Sequence, residues 1–182
     1  MNAFEFPVGV CLLGLVAVAA GWDLHTRRIP NWLVLTGLAL ALTMQWHLHG
    51  AGGGSGRWAL GMLTGGGLFL PLYLLRGMGA GDVKLMATVG AFVGPDIALQ
   101  IALLTCTMGG AWALAVIVFR RAVKSTCTNI LAIFLGGINR HDDMNTQSKG
   151  AAIASVGSLP YGVAIAIGTL GVMFLQAGAG TR

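Results

Sequence analysis

Charge is scarce in this sequence. Of 182 residues, 6 are Asp or Glu and 11 are Lys or Arg, so 9% are charged against 55% hydrophobic. A water-soluble domain carries roughly a quarter charged residues, and so few polar groups cannot cover a soluble globule. Lipid is therefore the expected solvent for much of the chain. The expected class is all-α, a polytopic membrane helical bundle forming one domain over residues 1–182. Cysteine is also scarce: Cys11, Cys106 and Cys127 form no CxxC pair, which removes a zinc ribbon or disulfide framework and leaves small apolar packing as their expected role. There is no HExxH, no GxSxG and no cysteine placed with a histidine, so the common zinc, serine and cysteine hydrolase signatures are missing. No basic cluster is interleaved with aromatics, so the net charge of +5 does not point to nucleic acid. No metal or cofactor is expected.

Glycine is plentiful, at 29 residues and without a collagen-like period, as suits membrane helices whose backbones approach closely. A crossing needs about 20 apolar residues. Apolar runs cover residues 4–22, 32–48, 58–75, 83–94, 97–119 and 151–176, which predicts about six transmembrane helices. Ala17-Val18-Ala19 resembles a signal-peptide cleavage site, but residues 1–6 lack Lys and Arg and contain Glu5, the wrong flank for a signal peptide. With six crossings, nine basic residues fall on one side: Arg27, Arg28, Arg76, Lys84, Arg120, Arg121, Lys124, Arg140 and Lys149. Only Arg57 and Arg182 fall on the other. The first side is therefore cytoplasmic. His47, His49 and the glycine-rich residues 50–56 lie outside, as a flexible connector. Residues 120–150 form a cytoplasmic loop whose apolar piece, 130–138, is too short to span and is expected in the interface. His141-Asp142-Asp143 in that loop reads as a solvated turn.

The six carboxylates sort by position. Glu5 and Asp96 fall on the outer side, and Asp142 and Asp143 in the loop. Asp23 and Asp82 remain, both at the cytoplasmic face. The run after Asp82 has about 12 residues, short of a crossing. Its helix must recruit Gly77-Met78-Gly79-Ala80-Gly81-Asp82, which draws Asp82 below the headgroups. An ionisable group at that depth marks a functional site by default. Gly77, Gly79 and Gly81 let the backbone bend and another segment approach. No Gly-Lys-Ser/Thr follows them, so they are not a P-loop. Two carboxylates on one face can share a proton. The ionised one takes a proton from water while the protonated one donates to a carbonyl oxygen, which hydrolyses a peptide bond without a metal or covalent intermediate.

Asp23-Leu24-His25-Thr26-Arg27-Arg28-Ile29-Pro30-Asn31 resembles the first aspartate motif of type IV prepilin peptidases. Gly79-Ala80-Gly81-Asp82-Val83-Lys84-Leu85 resembles their second, G-x-G-D, and Leu159-Pro160-Tyr161-Gly162 their last-helix signature. The resemblance implies a membrane aspartic endopeptidase cleaving leaders of prepilins and pseudopilins at the cytoplasmic face of the bacterial inner membrane, alongside pilus assembly machinery. It implies Asp23 and Asp82 as the catalytic pair, with Gly79, Gly81, Lys84, Arg28, Pro30 and Asn31 as supporting motif positions. The N-terminal insertion and paired cysteines that larger members use for methylation are missing, so the short form of Flp or tight-adherence systems is implied, without methyltransferase activity. Asn31 is expected to cap the second span and Pro160 to kink the sixth. The glycine pairs Gly61/Gly65 and Gly90/Gly94 suit internal helix packing or a substrate helix. Two other functions fit membrane carboxylates: a small proton-coupled transporter, disfavoured by the lack of an inverted repeat, and a non-catalytic subunit of a secretion machine.

Overall fold

The computed structural model describes residues 7–26, 29–75, 78–119 and 161–179, with side chains up to 112 in the helix that ends at 119. Among these residues every regular element is helical: α1 (Val8–Thr26), α2 (Asn31–Leu74), α3 (Ala80–Val93), α4 (Pro95–Phe119) and α5 (Tyr161–Ala179). The all-α expectation holds. Two helices, Val8–Thr26 and Tyr161–Gly178, are long and apolar enough in themselves to cross a membrane. One compact unit comprises Met1–Gly109 with Pro160–Arg182, and a second comprises Gly110–Leu159. The interfacial segment and acidic turn expected within 120–150 lie outside the described residues, as do Pro160 and Cys127.

The 44 residues of α2 would make a straight rod of about 66 Å, roughly twice the hydrocarbon thickness. They do not run straight. Gly50 adopts φ 72° and ψ 169°, a conformation that L side chains rarely reach, and the helix doubles back there. Two tryptophans tie the arms: Trp58 Nε1 donates to the Leu38 carbonyl at 3.1 Å and Trp46 Nε1 to Ser55 Oγ at 2.8 Å. The flexible connector expected over residues 50–56 is corrected here. Helix resumes at Ala51, so the reversal needs one glycine rather than a loop. A second positive-φ glycine, Gly94 (φ 84°), turns α3 into α4. Pro95 then supplies the first helical residue and Asp96 sits in the first turn, both favoured at a helix start.

The core is built on α3. The arm of residues 31–49 runs parallel to it, with Gly37 against Thr88 and Gln45 Nε2 donating to the Phe92 carbonyl at 2.8 Å. The arm of residues 51–74 runs antiparallel to it, with Gly61 against Gly90 and Gly65 against Met86. At Gly61 and Gly90 each backbone occupies the space a side chain would need on the other. Of the two roles open to these glycines, internal packing is the one the structure gives them. Leu12, Phe69, Leu85, Met86, Val89 and Ile101 fill the core around this crossing. Cys11 packs against the core, whereas Cys106 is exposed on α4, so packing accounts for only the first of these two.

The crossing yields a contrast between two alanine substitutions on the same arm. A Cβ on Gly61 meets the Gly90 carbonyl, while one on Gly67 meets nothing within 4 Å. Gly61→Ala should destabilise the protein by about 1–3 kcal/mol through overpacking. Gly67→Ala should leave stability within about 0.5 kcal/mol or raise it through helix propensity. Thermal unfolding in detergent micelles measures both.

Candidate active site

The loop from α1 to α2 and the start of α3 bring the two aspartates together. Proline sets the first boundary. Pro30, with φ −69° and ψ 137°, stands as the N-cap of α2, a conformation its ring favours, and its carbonyl accepts from Leu33 N–H at 3.1 Å. Asn31 is thus the first helical residue, which corrects its expected role as cap. Its side chain is instead free to accept from Lys84 Nζ at 3.0 Å. Two supporting motif positions, 53 residues apart, are therefore one exposed hydrogen bond joining α2 to α3.

The G-x-G-D segment forms the second boundary. Gly79 is the N-cap of α3 (φ −80°, ψ 151°), and Asp82 is its third helical residue. Asp82 N–H donates to the Gly79 carbonyl at 3.1 Å, while Gly79 N–H donates to Asp82 Oδ2 at 3.1 Å. This is the reciprocal half of a capping box, made by a carboxylate reaching back to the cap. The helix recruits Ala80, Gly81 and Asp82 but not Met78 and Gly79, which the expectation also included, because Gly79 takes the extended cap conformation; Gly77 lies outside the described residues. With 14 residues, α3 is about 21 Å long, shorter than the bilayer core. Gly81 carries the close approach: a Cβ there would lie 3.2 Å from Ile29 Cβ. Ile29, just before α2, therefore rests against the first turn of α3.

Asp23 is in the last turn of α1 and is only 6% exposed, against 8% for Asp82. Its Oδ2 accepts from the N–H of Gly162 at 2.9 Å, in a buried contact. Gly162 is the second residue of α5. Unpaired N–H groups and the helix dipole make a helix start favourable for an anion. Each carboxylate thus has Oδ2 held by a backbone amide at a helix start. In neither case does Oδ1 take part in a hydrogen bond among the described residues. Asp23 lies within electrostatic range of Asp82, and Asp82 within range of Tyr161.

The chain matches the model of the type IV leader peptidase family over residues 10–114. It belongs to that family. The matched stretch is more than half of the 182 residues and contains both aspartates with their flanking motifs. No curated protein and no solved structure matches the chain. Membership makes the chain a member of a peptidase family, and the two apolar helices agree with membrane association.

Of the residues expected at the site, Asp82 is bonded by Gly79, Asn31 by Lys84 and Asp23 by Gly162, while Pro30 caps α2 and Gly81 lies against Ile29. Arg28 lies outside the described residues. Tyr161 and Gly162 were legible only as part of a motif, without a role, because a backbone donor carries no side-chain signature. Among the described residues no three His, Cys, Asp or Glu side chains gather as a metal site. Flanking the site, Trp22 and Trp32 meet edge to face with ring centroids 6.0 Å apart, joining the end of α1 to the start of α2.

The Lys84–Asn31 contact is exposed, so its contribution is small, at most about 1 kcal/mol. Lys84→Met and Asn31→Ala should each cost no more than this. The double variant should cost no more than the larger single one, as a coupled pair requires. Denaturation of all four proteins in the same micelles closes the cycle.

Proposed function

We propose that this chain is a membrane aspartic endopeptidase that removes the leader of type IV prepilins and pseudopilins of the Flp kind at the cytoplasmic membrane face. The carrying observation is that two buried carboxylates from separate helices lie within electrostatic range of each other, each tethered through one oxygen by a helix-start amide. Family membership supplies the reaction class. The six-crossing topology takes α1, the two arms of α2, α3, α4 and α5 as its crossings, with the cytoplasmic side set by the nine-to-two division of basic residues in the sequence. Trp22 and Trp32, exposed beside the site, suit the headgroup level where aromatic side chains collect.

In this reading Oδ2 of each aspartate holds the group in place and Oδ1 performs the chemistry. One aspartate is ionised and the other protonated. The ionised carboxylate takes a proton from water as the water oxygen attacks the scissile carbonyl carbon, and the protonated one donates to the carbonyl oxygen. The tetrahedral gem-diol then collapses: the C–N bond breaks, the leaving nitrogen gains a proton from the first aspartate, and the second recovers its proton from the diol. The products are a carboxylic acid on the leader and an amine on the pilin. Asp23 and Asp82 sit at helix ends, so a substrate helix lying in the bilayer brings its polar leader to them. Gly79, Gly81, Pro30, Asn31, Lys84 and Arg28 support the pair rather than react. Methylation of the new amine is not part of this activity.

Co-expression with a cognate prepilin should yield the shortened pilin. Asp23→Asn and Asp82→Asn should each lower processing by about 100-fold or more, the scale of a lost general acid or base. Wild-type processing by either variant would rule out the dyad. Solute flux lost on Asp82→Asn with processing intact would favour a transporter instead.

A further inference from the structure

The last-helix residues form the one part of the site that the aspartate motifs do not explain. Gly162 N–H donates to Asp23 Oδ2 at 2.9 Å across 139 residues of sequence, and the contact is buried. The fit is tight on the carbon side as well. A Cβ on Gly162 would lie 2.9 Å from Asp23 Oδ2, 3.0 Å from its Cβ and 3.2 Å from its Cγ. Glycine therefore serves two purposes: it presents an amide and leaves room for the carboxyl group that the amide holds. Further along α5, Gly168 and Gly171 pack against Thr105 and Leu104 of α4. Their contacts are to Ile101, Leu104 and Thr105 of α4 and to neither aspartate, so Gly162 differs from these other glycines of its helix.

We infer that Gly162 is a positioning residue of the proposed peptidase, acting through Asp23. Its N–H fixes Oδ2, and fixing one carboxylate oxygen also fixes the direction of the other. The inference rests on the endopeptidase reading, but it concerns a residue outside the stretch of family match, which ends at residue 114. A displaced carboxylate should slow the chemical step without weakening the grip on the substrate helix. Misplacement of about 1 Å can cost about 100-fold in rate.

The experiment measures steady-state processing, in detergent micelles, of a prepilin that the wild-type enzyme cleaves, together with thermal unfolding of each variant. Gly162→Ala should lower kcat at least 10-fold with KM within 2-fold. Gly171→Ala is the control on the same helix: its Cβ would meet only the end of the Leu104 side chain, at 2.7 Å, which can turn aside, so it should keep kcat and leave the unfolding midpoint near that of the wild type. A Gly162→Ala protein with wild-type kcat overturns the inference, and so does an equal loss of kcat in both glycine variants. Should Gly162→Ala fold too poorly to assay, its unfolding midpoint is compared in the wild-type and Asp23→Ala backgrounds. The loss should shrink by at least half where the Asp23 carboxyl is gone, and an unchanged loss overturns the inference. Asp23→Asn and Asp82→Asn run alongside. If they still process prepilin, the endopeptidase reading fails; if they are inactive while Gly162→Ala is normal, only the positioning inference fails.

Discussion

A carboxylate removed from water costs several kcal/mol unless hydrogen-bond donors replace the lost hydration, and this constraint organises one end of the molecule. Asp23 and Asp82 are both buried, and both are met by backbone amides at helix starts. Backbone donors suit this task because a helix start leaves N–H groups unpaired in any case. They also hold still, since their position is set by the helix and not by a rotamer. The arrangement requires α3 and α5 to begin at the same end at which α1 finishes. It also requires Ile29, just before α2, to lie against the first turn of α3, which Gly81 permits.

Holding those helix ends level is a packing problem, solved by close backbone approach. The two arms of α2 flank α3, one parallel and one antiparallel, and the Gly61–Gly90 crossing leaves no room for a side chain. A glycine crossing fixes register more firmly than interlocked leucines would, because sliding by one residue drives a Cβ into a backbone. Register along α3 in turn fixes the height of Asp82, in its first turn, relative to Asn31 and the loop that follows Asp23. At the far end Gln45 reaches the Phe92 and Ala91 carbonyls, meeting acceptors that the last turn of α3 leaves unpaired. Packing chosen for helix contact therefore also places the site.

Scarcity made the aspartates legible. With six carboxylates in 182 residues, Asp23 and Asp82 could be isolated by elimination, and the shortness of the run after Asp82 predicted that its helix would take in the aspartate. The paired glycines were legible as a packing surface but not as partners of one another, because spacing shows a face and not what covers it. Gly50 misled for a local reason. Residues 50–56 contain five glycines, which read as a loop, yet the packed hairpin sustains helix through all but one of them. Asn31 misled because its capping preference competed with Pro30, whose fixed φ already suited the cap position. The Lys84–Asn31 and Gly162–Asp23 contacts span 53 and 139 residues, and no local pattern encodes either.

The position of Gly162 bears on what constitutes the peptidase unit. The family match ends at residue 114, and within that stretch the surroundings of Asp82, with its Gly79 cap, are complete. Those of Asp23 are not, because its buried oxygen would lack the amide that α5 supplies. A chain holding only the matched stretch would carry both aspartates with one of them unmet, and an unmet buried carboxylate either turns to solvent or takes up a proton. Either change would remove the fixed pair that the proposed chemistry needs. The unit that sustains it is therefore the matched stretch together with the start of α5, whose amide meets the Asp23 carboxylate.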